Sequence, residues 1–330
     1  MPAARYDVIG VGNAIVDVIA AASEALILEL ELEKGGMTLI DADRGEEIYA
    51  SMNNTTETSG GSAANTLAGI ASFGGSGAFI GKVNDDALGH VFRDDLVKIG
   101  VDYKTPLLSE GLPTARCLIF VTPDAERTML TCLGISADLG PDDIDEEAIA
   151  AAEITYLEGY LFDPPEAQKA FHKAAKAAHA ANRRVALSLS DSFCVERHRD
   201  EFLRLLSGHV DVLFANESEI TALFDVNNFE EAVRLTSGHC EIAALTRGSE
   251  GCVIVEGGTI YEITAKEVKR VVDTTGAGDL FAAGFLYGLA RGESLAQCGA
   301  YGVSAAAEVI SRYGARPEDP LANLLMESGE

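Results

Sequence analysis

Positive charge is scarce in this chain of 330 residues, which has 25 Lys and Arg against 52 Asp and Glu and a formal net charge of −27. A surface this acidic repels nucleic-acid phosphates and anionic lipids, which argues against nucleic acid and membranes as partners. Acidity of this kind also serves solubility in cytosolic proteins. We therefore expect a small-molecule ligand, and an anionic one needs a local positive site.

Long hydrophobic runs and a leader pattern are missing as well. No run of eighteen uncharged apolar residues occurs, and the first residues, MPAARYDVIG, lack the basic-then-apolar order of a signal peptide. The six cysteines form no CxxC motif and have no histidine at ligand spacing. The sequence thus predicts a cytoplasmic globular protein with reduced thiols and no structural zinc site.

The two common nucleotide-binding motifs are also absent. GVGNAI (10–15) follows a strand-like run but lacks the third glycine of GxGxxG, and no helix-period segment follows it at once. No GxxxxGK[ST] motif is present. A nucleotide, if one binds, must be held by another device.

Short apolar runs rich in β-branched residues alternate with longer segments of helical period. The runs are 7–12, 78–83, 154–159, 185–190, 211–216 and 242–248, and the helical segments between and after them include 62–74, 165–182, 228–238 and 279–292. This alternation predicts βαβ units, hence a mainly parallel sheet with helices on both faces.

Two stretches break the alternation. AIVDVIAA and GMTLID lie within 14–41, and TARCLIFVT and RTMLTCL flank a turn at Pro123 and Asp124. The second pair predicts a β-hairpin. Strands without a crossover helix either extend the main sheet or form a small lid over the strand ends where ligands bind.

The sharpest motif is VVDTTGAGDLF (271–281), which leads from a strand-like run through a glycine turn into a helix. The free amides at a helix start, together with the helix dipole, form an anion site suited to a phosphoryl group in transfer. Asp279 at this end is either a helix cap or a general base. The helix start should keep its carboxylate ionised and weakly basic, which suffices for late proton loss in phosphoryl transfer.

Three further motifs fit a nucleotide or its metal ion. Gly60 and Gly61 precede a small-residue helix carrying Asn65, so backbone amides can approach a ligand. Asn216 and Glu219 lie on one face of a helix start and can hold Mg²⁺ through water, or simply form a solvated helix start. TRGSEG (246–251) suits phosphates, or is a hairpin turn.

Three motifs resemble, in the same order along the chain, the signatures of PfkB-type kinases of the ribokinase-like superfamily. They are the glycine pair with Asn65, the NxxE motif at 216–219 and DTTGAGD (273–279). The resemblance spans about residues 6 to 315. It implies a three-layer α/β/α core with a mainly parallel sheet and a small β-rich lid. The core is expected at 1–12, 59–104 and 134–330, and the lid at 13–58 and 105–133.

Within that family, GNAIVDV, SGGSAAN, LSLSDSFC, VDVLFANESE and VVDTTGAGDLFAAGFL are similar to segments of the adenosine kinases. That resemblance implies ATP-dependent phosphorylation of the adenosine 5′-hydroxyl to AMP, with Mg²⁺ required and K⁺ activation by analogy. It assigns catalysis to Asp279, Gly276, Ala277 and Gly278, substrate binding to Asn13, Asp17, Gly60, Gly61, Ser62, Asn65, Tyr160 and Phe162, ATP binding to Arg127, Ser190, Asn216, Thr246, Gly248 and Gly251, and Mg²⁺ to Asn216 and Glu219.

The base-stacking ring of these nucleoside kinases has no aromatic counterpart in this chain. The position aligned with that ring holds Leu161, between Tyr160 and Phe162. Two alternatives therefore stay open: a sugar kinase acting on a smaller alcohol such as ribose, fructose or 2-keto-3-deoxygluconate, and a non-catalytic nucleoside-binding protein. The family contains both monomers and homodimers, and the sequence does not choose between them.

Overall fold

The computed structural model describes residues 4–124 and 126–327. Residues 1–3, Ala125 of the predicted hairpin turn and 328–330 lie outside the described residues, although the predicted domain ranges include them. The strands are β1 (Tyr6–Val11), β2 (Ile15–Ala21), β3 (Met37–Leu39), β4 (Thr56–Gly60), β5 (Gly77–Ile80), β6 (Val101–Tyr103), β7 (Ala115–Val121), β8 (Arg127–Cys132), β9 (Ala152–Glu158), β10 (Arg184–Ser188), β11 (Val212–Asn216), β12 (Ile242–Thr246), β13 (Cys252–Glu256) and β14 (Thr259–Ile263).

The α-helices lie between these strands and after the last one. They are α1 (Glu24–Glu29), α2 (Ala42–Ser51), α3 (Ser62–Ser72), α4 (Ala87–Lys98), α5 (Glu146–Ala150), α6 (Pro165–Ala180), α7 (Ser192–Arg197), α8 (Arg199–His209), α9 (Glu217–Phe224), α10 (Phe229–Thr236), α11 (Ala277–Ala290), α12 (Leu295–Val309) and α13 (Ala322–Glu327). Short 3-10 turns occupy Gly134–Asp138, Pro141–Asp143, Gly159–Phe162 and Gly248–Glu250.

The large sheet has the order β14-β13-β12-β11-β10-β9-β1-β5-β6. Its strands from β12 to β6 are parallel, and β13 and β14 are added antiparallel at one edge. All six predicted strand runs are in the parallel part, and helices α6 to α10 form the crossovers that join β9, β10, β11 and β12.

Two hydrophobic clusters cover the two faces of this sheet. One joins the sheet to α3, α4, α11 and α12, and the other joins it to helices α5 to α10. The ribokinase-like three-layer α/β/α arrangement is therefore confirmed.

A second sheet, of order β3-β8-β7-β2-β4, holds the strands that broke the alternation. The predicted hairpin is β7 and β8, paired antiparallel from Arg116–Cys132 to Val121–Arg127. The sequence reading missed α1 and α2, whose buried Ile27 and Ile48 join the apolar cluster on one face of this sheet. The other face carries Asp17 and Arg127, and its role as a closing lid stays a prediction.

The state of the cysteines and the apolar length of the helices can be compared with what the sequence predicts. All six cysteines are free thiols, and four of them are buried. No helix of the described ranges is long and apolar enough to cross a membrane.

Candidate active site

The carboxyl ends of five parallel strands bring the predicted binding residues to one edge of the large sheet. Asn13 follows β1, Tyr160 follows β9, Ser190 follows β10, Asn216 ends β11 and Thr246 ends β12. Asn216 and Thr246 are direct neighbours in the β11–β12 register. This edge is where parallel α/β sheets bind their ligands, because helix starts and loops, not packed side chains, surround it.

The turn before α11 requires glycine for a reason that the sequence does not show. Gly276 has φ of +79°, and a Cβ there would lie 2.7 Å from the Cα of Ala315. The Ala277 amide donates to Thr274 O at 3.2 Å, so it is not free for an anion. A Cβ on Gly278 would meet nothing within 4 Å, and its amide has no backbone acceptor among the described residues. Of the three predicted residues Gly276, Ala277 and Gly278, Gly278 is thus the one whose amide is open to an anion, and the anion site stays a prediction.

Asp279 lies in the first turn of α11 and is held by α3. Ser62 donates its hydroxyl to Asp279 Oδ1 at 2.6 Å, and Asn65 Nδ2 donates to Oδ2 at 3.1 Å. Burial raises the pKa of Asp279, while these two donors and the charge of Arg316 oppose the rise. The expectation of a weakly basic carboxylate is wrong in direction, because desolvation outweighs the helix start.

The glycine pair lets the small sheet approach α3. Gly61, with φ of +92°, precedes α3, and a Cβ there would lie 2.4 Å from Asn13 O. A Cβ on Gly60 would lie 2.7 Å from Asp17 Oδ2. A side chain at either position would collide with Asp17 or Asn13, so protein groups alone already require these glycines. The predicted approach of their amides to a ligand stays a prediction.

Asp17 lies on β2 and points into the cleft between the small sheet and α3. It has no hydrogen-bond donor among the residues that the structure describes. Burial raises its pKa to about 6, with Arg316 and Arg127 favouring the ionised form and Asp279 opposing it. A half-buried carboxylate without a donor is partly desolvated at a cost in free energy. It is therefore ready to accept hydrogen bonds from a ligand.

Arg127 connects the small sheet to the glycine turn. Its Nη1 donates to Asp273 Oδ2 at 2.5 Å, and Asp273 also accepts from the amides of Thr275 and Gly314 at 2.9 and 3.0 Å. The Nε of Arg127 is buried without a partner among the described residues. Arg127 is thus paired within the protein. To contact phosphates as predicted, its guanidinium would have to leave Asp273.

A cavity of about 540 Å³ lies on the other side of the glycine turn. Thr246, Gly248 and Gly251 line it together with Ala277 and Gly278. Its remaining wall is mainly apolar: Val268, Val271, Phe281, Val303, Ala306, Ala307 and Ile310. An apolar cavity of this size beside a helix start suits a flat base with its phosphates at Gly278.

Comparison with known proteins identifies the family. The family model described as pfkB family carbohydrate kinase matches residues 31–321. The chain belongs to this kinase family. The kinase therefore transfers phosphate to a hydroxyl group.

Two solved structures match nearly the whole kinase. The adenosine kinase from Sinorhizobium meliloti is 47% identical with a TM-score of 0.90, covering 99% of this chain and 100% of that one. A probable sugar kinase from Rhizobium etli CFN 42 is 46% identical with a TM-score of 0.90, covering 99% of both chains. An uncharacterized sugar kinase from Archaeoglobus fulgidus is 32% identical over 75% of this chain and 96% of its own.

The aromatic residues after β9 are not where the sequence placed them. Phe162 is fully buried and stacks on Phe202 with ring centroids 4.1 Å apart, and Leu161 is 1% exposed. The 3-10 turn at Gly159–Phe162 rotates both side chains into the core. Phe162 therefore cannot contact a substrate of the kinase in this conformation, whereas Tyr160 is 45% exposed and remains a candidate.

Asn216 and Glu219 form a capping box at the start of α9. Asn216 Oδ1 accepts from the Glu219 amide at 2.9 Å, and Glu219 accepts from the Asn216 amide at 2.9 Å and from Nδ2 at 2.6 Å. Burial raises the pKa of Glu219 to about 7. No group of three or more metal-ligating side chains occurs in the described part of the kinase. The pair fits a water-mediated role toward Mg²⁺ and does not fit direct chelation.

The side chain of Asn13 already forms hydrogen bonds within the protein. It is 2% exposed, its Nδ2 donates to Glu158 Oε1 at 2.9 Å, and its Oδ1 accepts from Ser136 at 3.0 Å. Ser190 has φ of +65° and keeps its hydroxyl 3.4 Å from that of Ser188. Their contacts with substrate and ATP stay predictions.

Sequence reasoning missed two residues that organise the site. Glu158 is 1% exposed and accepts from the amides of Asn13 and Ala63 at 3.3 and 2.9 Å, tying β9 to β1 and α3. Burial raises its pKa to about 7. Arg316 donates to Asn65 Oδ1 at 3.0 Å and to the Ser59 hydroxyl at 2.7 Å. A charged residue in the otherwise apolar run ITYLEG was an available signal for Glu158, but YGARP offered none for Arg316.

Proposed function

We propose that this kinase phosphorylates the 5′-hydroxyl of adenosine, using ATP and Mg²⁺, to give AMP and ADP. The observation that carries the proposal is the position of Asp279, a carboxylate held by Ser62 and Asn65 at the start of α11. The adjacent Gly278 lines the apolar cavity of about 540 Å³. Asp17, which has no donor in the described part of the chain, is close enough to Asp279 for the two charges to interact.

The proposed chemistry follows from the groups at the start of α11. Asp279 accepts the proton of the attacking hydroxyl, and its raised pKa makes it a stronger base than an exposed aspartate. Ser62 and Asn65 hold both carboxylate oxygens, so the base keeps one orientation. The Gly278 amide and the helix dipole stabilise negative charge on the transferring phosphoryl group.

Mg²⁺, when bound, neutralises phosphate charge, and Asn216 and Glu219 are proposed to hold its water shell. Arg127 is proposed to move from Asp273 to the phosphates, which exchanges one charged hydrogen bond for another. Activation by K⁺ remains an expectation from the family resemblance. The small sheet is proposed to cover the cleft and limit ATP hydrolysis by water.

Two features support adenosine as the acceptor. The similarity to the Sinorhizobium meliloti adenosine kinase extends over the whole chain. In addition, Asp17 faces the cleft with both oxygens available, which suits the two vicinal hydroxyls of a ribose.

A sugar acceptor is the second candidate, and one observation favours it. The buried Leu161 and Phe162 leave Tyr160 as the exposed aromatic side chain of the 159–162 turn, so one ring of this turn is accessible to a base. A smaller alcohol needs no such ring. The similarity to a probable sugar kinase from Rhizobium etli is of the same strength as that to the adenosine kinase.

An ADP-release assay with Mg-ATP and a panel of acceptors separates these candidates. The panel is adenosine, inosine, ribose, fructose and 2-keto-3-deoxygluconate. We expect adenosine to have the highest kcat/KM. A sugar that exceeds adenosine overturns the nucleoside assignment and supports the second candidate, and binding of adenosine without any turnover supports the non-catalytic alternative.

A further inference from the structure

Arg316 brings a buried positive charge into the cleft from the C-terminal loop. A Cβ on Gly276 would lie 2.7 Å from Ala315, so this loop passes directly over the glycine turn. The Gly314 amide donates to Asp273 at 3.0 Å and anchors the loop. The Arg316 side chain then extends toward α3 and β4.

Two of the three guanidinium nitrogens have partners within the protein. Nε donates to Asn65 Oδ1 at 3.0 Å, and Nη1 donates to the Ser59 hydroxyl at 2.7 Å. The first contact orients the Asn65 amide, because its oxygen faces Arg316 while its nitrogen donates to Asp279 at 3.1 Å. The planar fork of arginine is suited to several such contacts at once.

The third nitrogen, Nη2, is buried without a hydrogen-bond partner among the described residues. Asp17 is likewise without a donor. Both groups lie near the end of β4: a Cβ on Gly60 would lie 2.7 Å from Asp17 Oδ2, and Arg316 bonds the side chain of the preceding Ser59. In the described part of the chain they nevertheless form no ion pair within 4.0 Å.

The two charges still influence each other. Arg316 is the foremost charge that favours the ionised form of Asp17, and Asp17 is the foremost charge that favours the ionised form of Arg316. A buried donor without an acceptor and a half-buried acceptor without a donor, whose charges interact, can both be satisfied by one ligand group. A hydroxyl does this, because it donates one hydrogen bond and accepts another.

We propose that Arg316 is a specificity-determining residue whose Nη2 donates to a substrate hydroxyl that itself donates to Asp17. The arrangement recognises an acceptor carrying hydroxyls next to the one phosphorylated, and it rejects deoxy analogues because they leave a buried guanidinium nitrogen and a half-buried carboxylate unpaired. The inference rests on the proposed function for the identity of the polyhydroxylated substrate.

Arg316→Gln is the decisive variant. Its amide nitrogen takes the place of Nε and can keep the contact with Asn65, whereas both Nη donors are lost. We expect the preference for adenosine over 2′-deoxyadenosine or 3′-deoxyadenosine, measured as a ratio of kcat/KM, to fall roughly ten- to a hundredfold for at least one analogue. Turnover of that analogue should change much less.

Arg316→Met adds a second comparison, since it removes the Asn65 contact as well. We expect the same fall in preference together with a lower kcat for every acceptor. If Arg316 acted only through Asn65, Arg316→Gln would leave kcat/KM nearly unchanged, and Arg316→Met would lower it equally for adenosine and its deoxy analogues. An unchanged preference in both variants would therefore overturn the proposal.

Circular dichroism and thermal melting establish that each variant is folded. If the two uncharged variants do not fold, Arg316→Lys decides, because a single ammonium nitrogen cannot occupy the separate positions of Nε, Nη1 and Nη2. A wild-type preference in that variant would overturn the proposal. Arg312→Gln is the matched control: Arg312 is in the same loop but pairs outward with Glu308, Glu318 and Asp319, so the preference should not change.

The wild-type acceptor panel tests the proposed function separately. If the wild type prefers a sugar to adenosine, that sugar and its deoxy analogues replace the nucleosides in the same comparison. A fall in preference with the sugar would support the role of Arg316 even though adenosine had failed.

Discussion

Replacing Asp17 with Asn should stabilise the ligand-free protein at neutral and alkaline pH. Burial raises the pKa of Asp17 from 3.8 to about 6 in the folded protein. The folded state therefore holds the Asp17 proton more tightly than the unfolded chain. This contribution to stability is fully present below the unfolded pKa and is lost as the pH rises through the folded pKa.

The size of the effect follows from the shift. A difference of about two pKa units corresponds to about 3 kcal/mol, at 1.36 kcal/mol per unit. Partial exposure of the side chain to the cleft reduces this to about 2 kcal/mol. Asp17→Asn should thus unfold at a higher urea concentration than the wild type at pH 8, and the difference should shrink toward zero below pH 4.

Urea unfolding of both proteins between pH 4 and 8 provides the measurement. Subtracting the two curves largely cancels other groups that titrate in the window, including Glu158 and Glu219. Asp142→Asn, at an exposed carboxylate, controls for the loss of one negative charge from an acidic chain. An Asp17→Asn protein that is no more stable than the wild type at pH 8 would refute the argument that this carboxylate is desolvated and unpaired. Its kcat/KM should fall, because the substrate loses an acceptor.

Three further predictions concern catalysis and the core. Asp279→Asn should lower kcat by a factor of roughly 10² to 10⁴ with nucleotide affinity, measured by calorimetry, nearly unchanged; a fully active variant would disprove the role as base. Ser62→Ala removes a donor that lowers the pKa of Asp279, so the acid limb of the pH profile of kcat/KM should move to higher pH, and an unmoved limb would contradict this. Phe162→Ala should destabilise by about 3 to 5 kcal/mol in urea, whereas Tyr160→Ala should mainly raise KM; the reverse pattern would restore Phe162 to the site.

The sequence determined much of the architecture by itself. The alternation of β-branched runs with helical segments placed six of the seven parallel strands, because side-chain period is a local property. The glycine turn before α11 and the glycine pair before α3 were also readable, since positive φ and close approach leave a residue signature. Asp279 was recognised because it follows such a turn.

The tertiary structure decided what surrounds these residues. Asn65 and Arg316 are 251 positions apart in the chain, and Asn13 and Glu158 are 145 apart, so no local pattern announces either contact. The burial of Phe162 depends on packing against Phe202, and the need for Gly276 depends partly on Ala315. Packing also explains why the pKa of Asp279 is raised, whereas the helix start alone would lower it. A sequence shows the helix dipole that favours the charge, but only the packed structure shows how much water has been removed from it.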